Sequence, residues 1–400
     1  MAVASTDAAE RLGIRAHSDG PVGSAPYVPV QTRSERFKSF VHSDFPEVTG
    51  LESEWKLTPV DRIRSLIDGE VDGSPYAILY PEVEGTSVEW LPRDDARVGS
   101  AGTPEERASA NAWTHFQNAL HIGVDAEVDT ALTVTRSTLG DAPRAAHTII
   151  TAAPNSRGLV VLDSRGGATL TENLEIVVGD GAHLSVVSLQ EWDAEALHLA
   201  SHFARVGRNA QLKHFVVSLG GSVVRVNPSA HLAEDGAEAE LFGVYFADSG
   251  QHLEQRVYVH HDAPHSRSRV TYKGALNGEG ARTVWVGDVL IAPTAPGTDS
   301  YEQNRNLVLS EGTRADSIPN LEIETGDIVG AGHASATGRF DDEHLFYLQS
   351  RGIPEDEARK LVVLGFLSEI VQKIGEPALE LRLLQALEEE LEAVGHGGAQ

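Results

Sequence analysis

There is no cysteine anywhere in the 400 residues. That excludes disulfides, thiolate nucleophiles and thiolate metal ligands, and it fits a reducing compartment. Lysine is scarce too: only Lys38, Lys56, Lys213, Lys273, Lys360 and Lys373 occur, and none follows a glycine. A Walker A phosphate loop, which needs a Gly-Lys pair, is therefore absent. Basic residues are outnumbered, 32 Lys and Arg against 59 Asp and Glu, for a net charge of −27. A field of that sign repels phosphate backbones and anionic bilayers, which argues against nucleic-acid and membrane partners. No apolar run approaches the length of a membrane span, and the opening Met1-Ala-Val-Ala-Ser-Thr has neither the basic nor the apolar region of a secretory leader. A cytoplasmic location is the expectation.

What is present is enough to build a core, since 41% of residues are hydrophobic and 23% charged. A chain of this length exceeds one simple core, so it should divide into compact units or form an extended repeat array. Residues 1–33 are rich in Ala, Ser, Gly and Pro and read as a disordered tail. Residues 34–123 read as a mainly helical region: Phe37, Phe40 and Val41 recur at helical spacing, PVDRIRSLI at 59–67 repeats the trend, and a helix over 104–120 would bury Trp113, Phe116 and Ala119.

Over 124–335 the chain becomes short β segments such as LEIVV, FVVSL, LFGVYF and VWVGDVLI, separated by Gly, Asn and Asp. No helical stretch of crossover length interrupts them, which argues against a βαβ sheet. A turn recurs at Gly179-Asp-Gly-Ala182, Gly207-Arg-Asn-Ala210, Glu234-Asp-Gly-Ala237 and Gly278-Glu-Gly-Ala281. The first three alanines stand 28 and 27 residues apart, and the next gap of 44 reads as one period plus an inserted loop. A period in the twenties suits one coil of a β-solenoid, whereas the same turn chemistry also serves an antiparallel sandwich. Spacing leaves both open.

Residues 336–400 turn helical again. Asp341 is placed to cap a helix through Ser350 that Gly352 ends. Pro354 suits the first turn of a helix with Leu361, Leu364, Leu367, Val371 and Ile374 on one stripe. Pro377 opens a third with Leu383, Leu384, Leu387, Leu391 and Val394. Such stripes dock onto the protein's own β body or onto a partner.

Several residues invite a chemical reading. His260, His261, Asp262 and His265 offer imidazole and carboxylate donors for zinc, iron or manganese, although neighbours on a strand point to opposite faces. Against that stand surface or turn histidines. His333 lies in a run of small residues, Gly330 to Gly338, where backbone or a partner approaches closely, but a lone imidazole is one ligand and not a site. Glu322 with Glu324, and Asp341 with Asp342, could be read as acid/base pairs for glycoside hydrolysis, though carboxylates two apart on a strand say nothing of a cleft. No Gly-X-Ser-X-Gly elbow anchors a serine triad, and Gly179-Asp-Gly181 lacks the third glycine and following helix of a dinucleotide loop.

From Arg225 to Phe366 the motifs HHDAPHSRSRVTYKG (260–274), ARTVWVGDVLIAP (281–293), TDSYEQNRNLVLS (298–310), ADSIPNLEIETGDIVGAGHASATG (315–338) and DDEHLFYLQSRGIPEDEARKLVVLGF (341–366) resemble the SufB/SufD family of iron–sulfur cluster assembly proteins. Glu54-Trp55-Lys56 resembles the amino-terminal lobe of the SufD type more weakly. The resemblance implies a mainly β fold: a right-handed parallel β-helix between helical segments. It implies a SufB-like partner bound through the β-helix, a SufC-like ABC ATPase bound by the C-terminal helices, and a transient iron–sulfur cluster with no stably bound cofactor. Homodimers are a further possibility for the isolated chain. SufB-type chains need thiolates to receive sulfur, so a chain without cysteine matches the SufD type, a scaffold without a complete active site of its own. In the family motif the histidine matched by His333 lies at the SufB–SufD interface as a candidate iron or cluster ligand, and many relatives carry a cysteine where this chain has Ala331. The rival expectation is a β-helix or β-sandwich metal enzyme using His260, His261 and His265.

Overall fold

The computed structural model describes residues 14–16, 27–29, 37–137, 139–339 and 342–397. The tail expected over 1–33 lies outside the described residues except for the antiparallel pair Ile14–Ala16 and Tyr27–Pro29, and Asp341, expected as a helix cap, lies outside them too.

From Asn118 onward the strands alternate strictly between two sheets. One holds Asn118–Val124, Gly140–Ala152, Ala168–Val178, Leu197–Val206, Val223–Leu232, His252–His261, Arg282–Ile291 and Arg314–Ile323, each parallel to the next. The other holds Leu132–Arg136, Arg157–Gly166, His183–Trp192, Gln211–Gly220, Glu238–Ala247, Arg267–Leu276, Thr298–Val308 and Ile328–Arg339, again all parallel. Each coil contributes one strand to each sheet, so the β region is a parallel solenoid and the sandwich alternative is corrected. Leu170 pairs with His198 and Ser268 with Ser300, so one coil advances the chain by 28 residues at the first pair and 32 at the second. Parallel strands need such a long connection, and here the opposite sheet supplies it.

The recurring turn marks one corner of the coil. Asn155, Gly181, Asn209, Gly236, His265 and Gly297 hold φ of 60°, 69°, 49°, 70°, 54° and 72° at successive passages through it. Glycine and asparagine suit this left-handed geometry because it crowds a Cβ against the carbonyl. The Gly278-Glu-Gly-Ala281 turn belongs to the opposite corner, between Arg267–Leu276 and Arg282–Ile291. Its 44-residue gap is therefore a change of corner and not an inserted loop. The true successor of Gly236 is His265.

Inward side chains fill the lumen. Leu170, Leu174, Ile176, Val186, Val216, Leu241, Val257, Val270, Trp285 and Ile291 belong to one continuous apolar cluster. Large rings in it are accommodated by glycines: a Cβ at Gly243 would strike Tyr272, and one at Gly274 would strike Tyr245.

The outer faces are covered by the flanking segments. The first sheet carries residues 37–117, less helical than their pattern predicts, with helices at Arg64–Asp68 and Arg107–His115 only, short 3-10 turns, and a strand at Thr86–Pro92. The helix expected over 104–120 stops at His115 because the chain from Asn118 is drawn into the sheet, a tertiary override of periodicity. Trp55, Ile63, Leu66, Ile67 and Ala112 pack there against Ala145, Leu199 and Val223. The second sheet carries the C-terminal helices Glu355–Val371 and Pro377–Gly397, and the helix Asp342–Gln349 packs on the first of these. Their stripe of Val363, Leu367, Ile370, Val371, Ile374, Leu383, Leu387 and Leu391 packs on Val187, Phe215, Val217, Phe242, Val244 and Phe246. Leu361, expected in that stripe, is exposed. Buried Asp163 accepts hydrogen bonds from Arg382 at 3.0 and 3.1 Å, which pins the last helix to the coil.

Candidate functional site

The two ends of the solenoid differ. At the N-terminal end, Thr86–Pro92 pairs antiparallel with Asn118–Val124, and Leu79 exchanges two backbone hydrogen bonds with Thr135 on the first strand of the second sheet. Both sheets begin under cover. At the other end Arg314–Ile323 and Ile328–Arg339 are edge strands, and among the described residues no further strand pairs with either. Open parallel edges present unpaired backbone donors and acceptors and are templates for another chain. Two large apolar side chains stand exposed on these strands, Val329 at 76% and Ile323 at 43%.

His333 sits on the last strand and is exposed. It pairs in register with Glu302 on Thr298–Val308, so the two side chains leave the same, lumen-facing side of the sheet. On the same face Ala331 touches the lumen cluster, whereas Gly330 and Gly338 pair with the outward residues Asp299 and Leu307 and belong to the other face of the strand. Ser335 donates to Ser317 at 2.8 Å, bridging the two sheets of the final coil.

Behind His333 the lumen becomes polar. Thr298, Ser300, Glu302, Asn304 and Asn306 occupy five successive inward positions of one strand and are buried. Asn304 donates to Tyr245 Oη at 2.7 Å, and Tyr245 Oη donates to Asn306 Oδ1 at 2.7 Å. Glu302 differs from its neighbours, because no side chain bonds its carboxylate oxygens and only the Asn320 backbone approaches them. Burial, with the nearby negative charge of Asp288, pushes its carboxyl up to about 8, so it holds a proton at neutral pH when nothing else compensates it. Glu302 escaped the sequence reading because it is one acid on a strand face that is polar throughout. The available signal was that TDSYEQNRN has no hydrophobic residue at the alternation of Thr298, Ser300, Glu302, Asn304 and Asn306.

The HHDAPH segment does not form a metal centre. His260 points outward and stacks on His231 with ring centroids 4.9 Å apart. His261 points into the lumen, where Ser266 and Ser268 hydroxyls lie 2.7 and 2.8 Å from its two ring nitrogens, and burial pushes its pKa down to about 3. His265 is the exposed turn residue, 3.0 Å from Asp235 Oδ1. The strand sends the first two to opposite faces and the corner carries the third away, so the rival constellation is not assembled. Among the described residues no group of three or more His, Asp or Glu could hold an ion. Glu322 and Glu324 lie at the far end of an edge strand, and the side chains of Asp341 and Asp342 fall outside the described residues. Gly179-Asp-Gly181 is a coil corner.

Comparison with known proteins follows the solenoid. Residues 135–366 match the family described as SUF system FeS cluster assembly, SufBD core domain. An iron-sulfur cluster assembly SufBD family protein of Mycobacterium tuberculosis is 46% identical over 370 residues, covering 90% of this chain and 93% of its own length. A counterpart from Mycobacterium leprae is 46% identical over 365 residues, 89% of this chain and 93% of its own. A second SufBD family protein of Mycobacterium leprae is 31% identical over 218 residues, 54% of this chain and 25% of its own.

Proposed function

The chain belongs to the SufBD family of iron–sulfur cluster assembly proteins, and on that premise we propose that it acts as a SufD-type scaffold subunit whose last coil pairs with the solenoid of a SufB-type chain. The observation that carries the reading is the asymmetry of the ends: both sheets start capped and both finish on an open edge, with Ile323 and Val329 exposed there and His333 on the second. Pairing across that edge would satisfy the exposed backbone groups and cover Ile323 and Val329. The absence of cysteine assigns sulfur acceptance to the partner, since persulfide chemistry requires a thiolate. His333 then contributes one imidazole to a centre completed in trans, where iron and sulfide are substrates of the assembly. The chain on its own has no complete active site in this scheme.

The C-terminal helices are the docking element for a SufC-type ATPase. Their buried stripe is already used against the second sheet, yet Phe346, Tyr347, Leu361 and Leu381 remain exposed on them. A cytoplasmic setting suits the thiol chemistry of the partner.

Co-expression with SufB-type and SufC-type partners, followed by size-exclusion chromatography, tests the assignment. A ternary complex that is lost on Val329→Asp with Ile323→Asp supports it. Failure of the wild-type chain to bind either partner, or formation of a homodimer in their presence, refutes it. A His333→Ala complex that builds clusters at the wild-type rate would remove His333 from the centre.

A further inference from the structure

Glu302 is the group that the scaffold reading leaves unexplained. Its side chain is 1% exposed, and no side chain bonds either carboxylate oxygen, with only the Asn320 backbone near them. An uncompensated buried carboxylate is costly, so the group either keeps its proton or meets a cation that takes the proton's place. Three features of those surroundings point to a cation. The register partner of Glu302 is His333, one strand nearer the open end, on the same face. Paired residues on adjacent strands lie about 5 Å apart, a spacing at which an imidazole nitrogen and a carboxylate oxygen reach one ion through bonds of about 2 Å. Across the lumen stands Gly287, where a Cβ would collide with Glu302 Oε2 and with the Trp285 ring, so the carboxylate head fits only because that position is bare. The Trp285 indole N–H, buried in the same lumen, also has no acceptor.

We propose that Glu302 and His333 together form a half-open site for a divalent first-row cation at the mouth of the solenoid, with the remaining positions taken by water or by groups of the partner chain. One nitrogen and one carboxylate donor suit ferrous iron, manganese and zinc in preference to the thiolate-loving ions. That the ion is ferrous iron rests on the scaffold reading; the site does not. In that reading the carboxylate gives iron a landing place on this chain before sulfide arrives from the other. Two ligands alone hold an ion weakly, as a transfer site requires.

The test uses the full-length protein and Mn2+ as the probe, with free Mn2+ followed by its electron paramagnetic resonance signal. Wild type should take up one equivalent saturably. Loss of groups that merely orient a ligand already weakens metal sites by about 10–100-fold, so Glu302→Gln and His333→Ala should each weaken binding at least about tenfold. His260→Ala should not. Glu302→Gln keeps the shape of the buried side chain, and matching thermal melts verify that it folds. Absence of saturable binding, or unchanged affinity in Glu302→Gln, overturns the proposal. Partner capture is measured on the same samples to separate the two readings. Capture without Mn2+ uptake overturns the site and leaves the scaffold standing, whereas Mn2+ uptake through Glu302 and His333 without capture supports the site and overturns the scaffold.

Discussion

Arg225 offers the most direct test of how the N-terminal lobe is held to the solenoid. It is 1% exposed on the outer face of the first sheet. Its Nη1 donates to both oxygens of Glu106 at 2.7 Å, its Nε to Glu254 Oε1 at 3.1 Å, and its Nη2 to the Glu54 carbonyl at 3.2 Å, while the guanidinium lies 4.2 Å from the Trp55 ring centroid. Glu54, Trp55 and Glu106 belong to the lobe, so one side chain fastens three of its residues to a strand. Replacing Arg225 by methionine preserves the aliphatic stem and removes the charge. Glu254 keeps Arg256 and His252 as partners, but Glu106 is left buried beside an apolar side chain. Breaking a buried pair from one side costs about 3–5 kcal/mol, and the lost stacking on Trp55 adds about 0.5–2 kcal/mol. Urea unfolding followed by tryptophan fluorescence should show the lobe transition moved to lower urea, and limited proteolysis should cut within residues 37–117 first. The double variant Arg225→Met with Glu106→Gln should recover about half of the loss, because no charge is then stranded. A single variant that loses less than about 1 kcal/mol, or a double variant whose losses simply add, would refute the account.

Three further outcomes follow from packing and burial. Gly287→Ala should destabilise by about 1–3 kcal/mol through overpacking against Glu302 and Trp285, and a thermal melt of Gly287→Ala with Glu302→Ala should recover only part of it, since the Trp285 contact remains; no recovery at all would take Glu302 out of the clash. His265→Gly should leave stability unchanged or raise it by up to about 1 kcal/mol, since it relieves a left-handed non-glycine corner, and a loss beyond about 1 kcal/mol in chemical denaturation would count against the turn role. His202 and His214 are paired at 3.1 Å inside the lumen, and burial pushes His214 down to about 4 and lowers His202 in the same direction. The unfolded chain binds their protons near the ordinary value of 6.5 while the folded chain refuses them, so the stability is complete above that pH and is lost as pH falls toward 4. For His214 alone the difference amounts to about 3 kcal/mol. His214→Gln should flatten the fall of Tm between pH 7 and 4.5; parallel curves for the two proteins would dismiss it.

Much of the architecture was legible because it depends on local chemistry. The left-handed corners announce themselves as Gly181, Asn209 and Gly236, residues that tolerate positive φ, and their spacing is the length of a coil. Gly352, also at positive φ, ends its helix as its position suggests. The fourth corner was hidden because histidine occupies it, so a motif from the opposite corner took its place in the count. The lobe helix over 104–120 was overestimated for a related reason: periodicity records which residues are apolar, and the same spacing serves a short helix followed by a strand.

The site divides along the same line. Sequence alone determined that no thiolate chemistry belongs to this chain, that a turn recurs 28 and 27 residues apart in its β region, and that His333 stands among residues small enough for close approach. These are properties of residue type and spacing. Only the tertiary structure decided that His260, His261 and His265 part to three environments, and that Glu302, 31 positions before His333, is its neighbour on the next strand. Register in a parallel solenoid brings together residues one coil apart, and the coil length varies from pair to pair. Which side chains meet is therefore set by the stacking of whole coils, a long-range outcome that spacing along the chain does not encode.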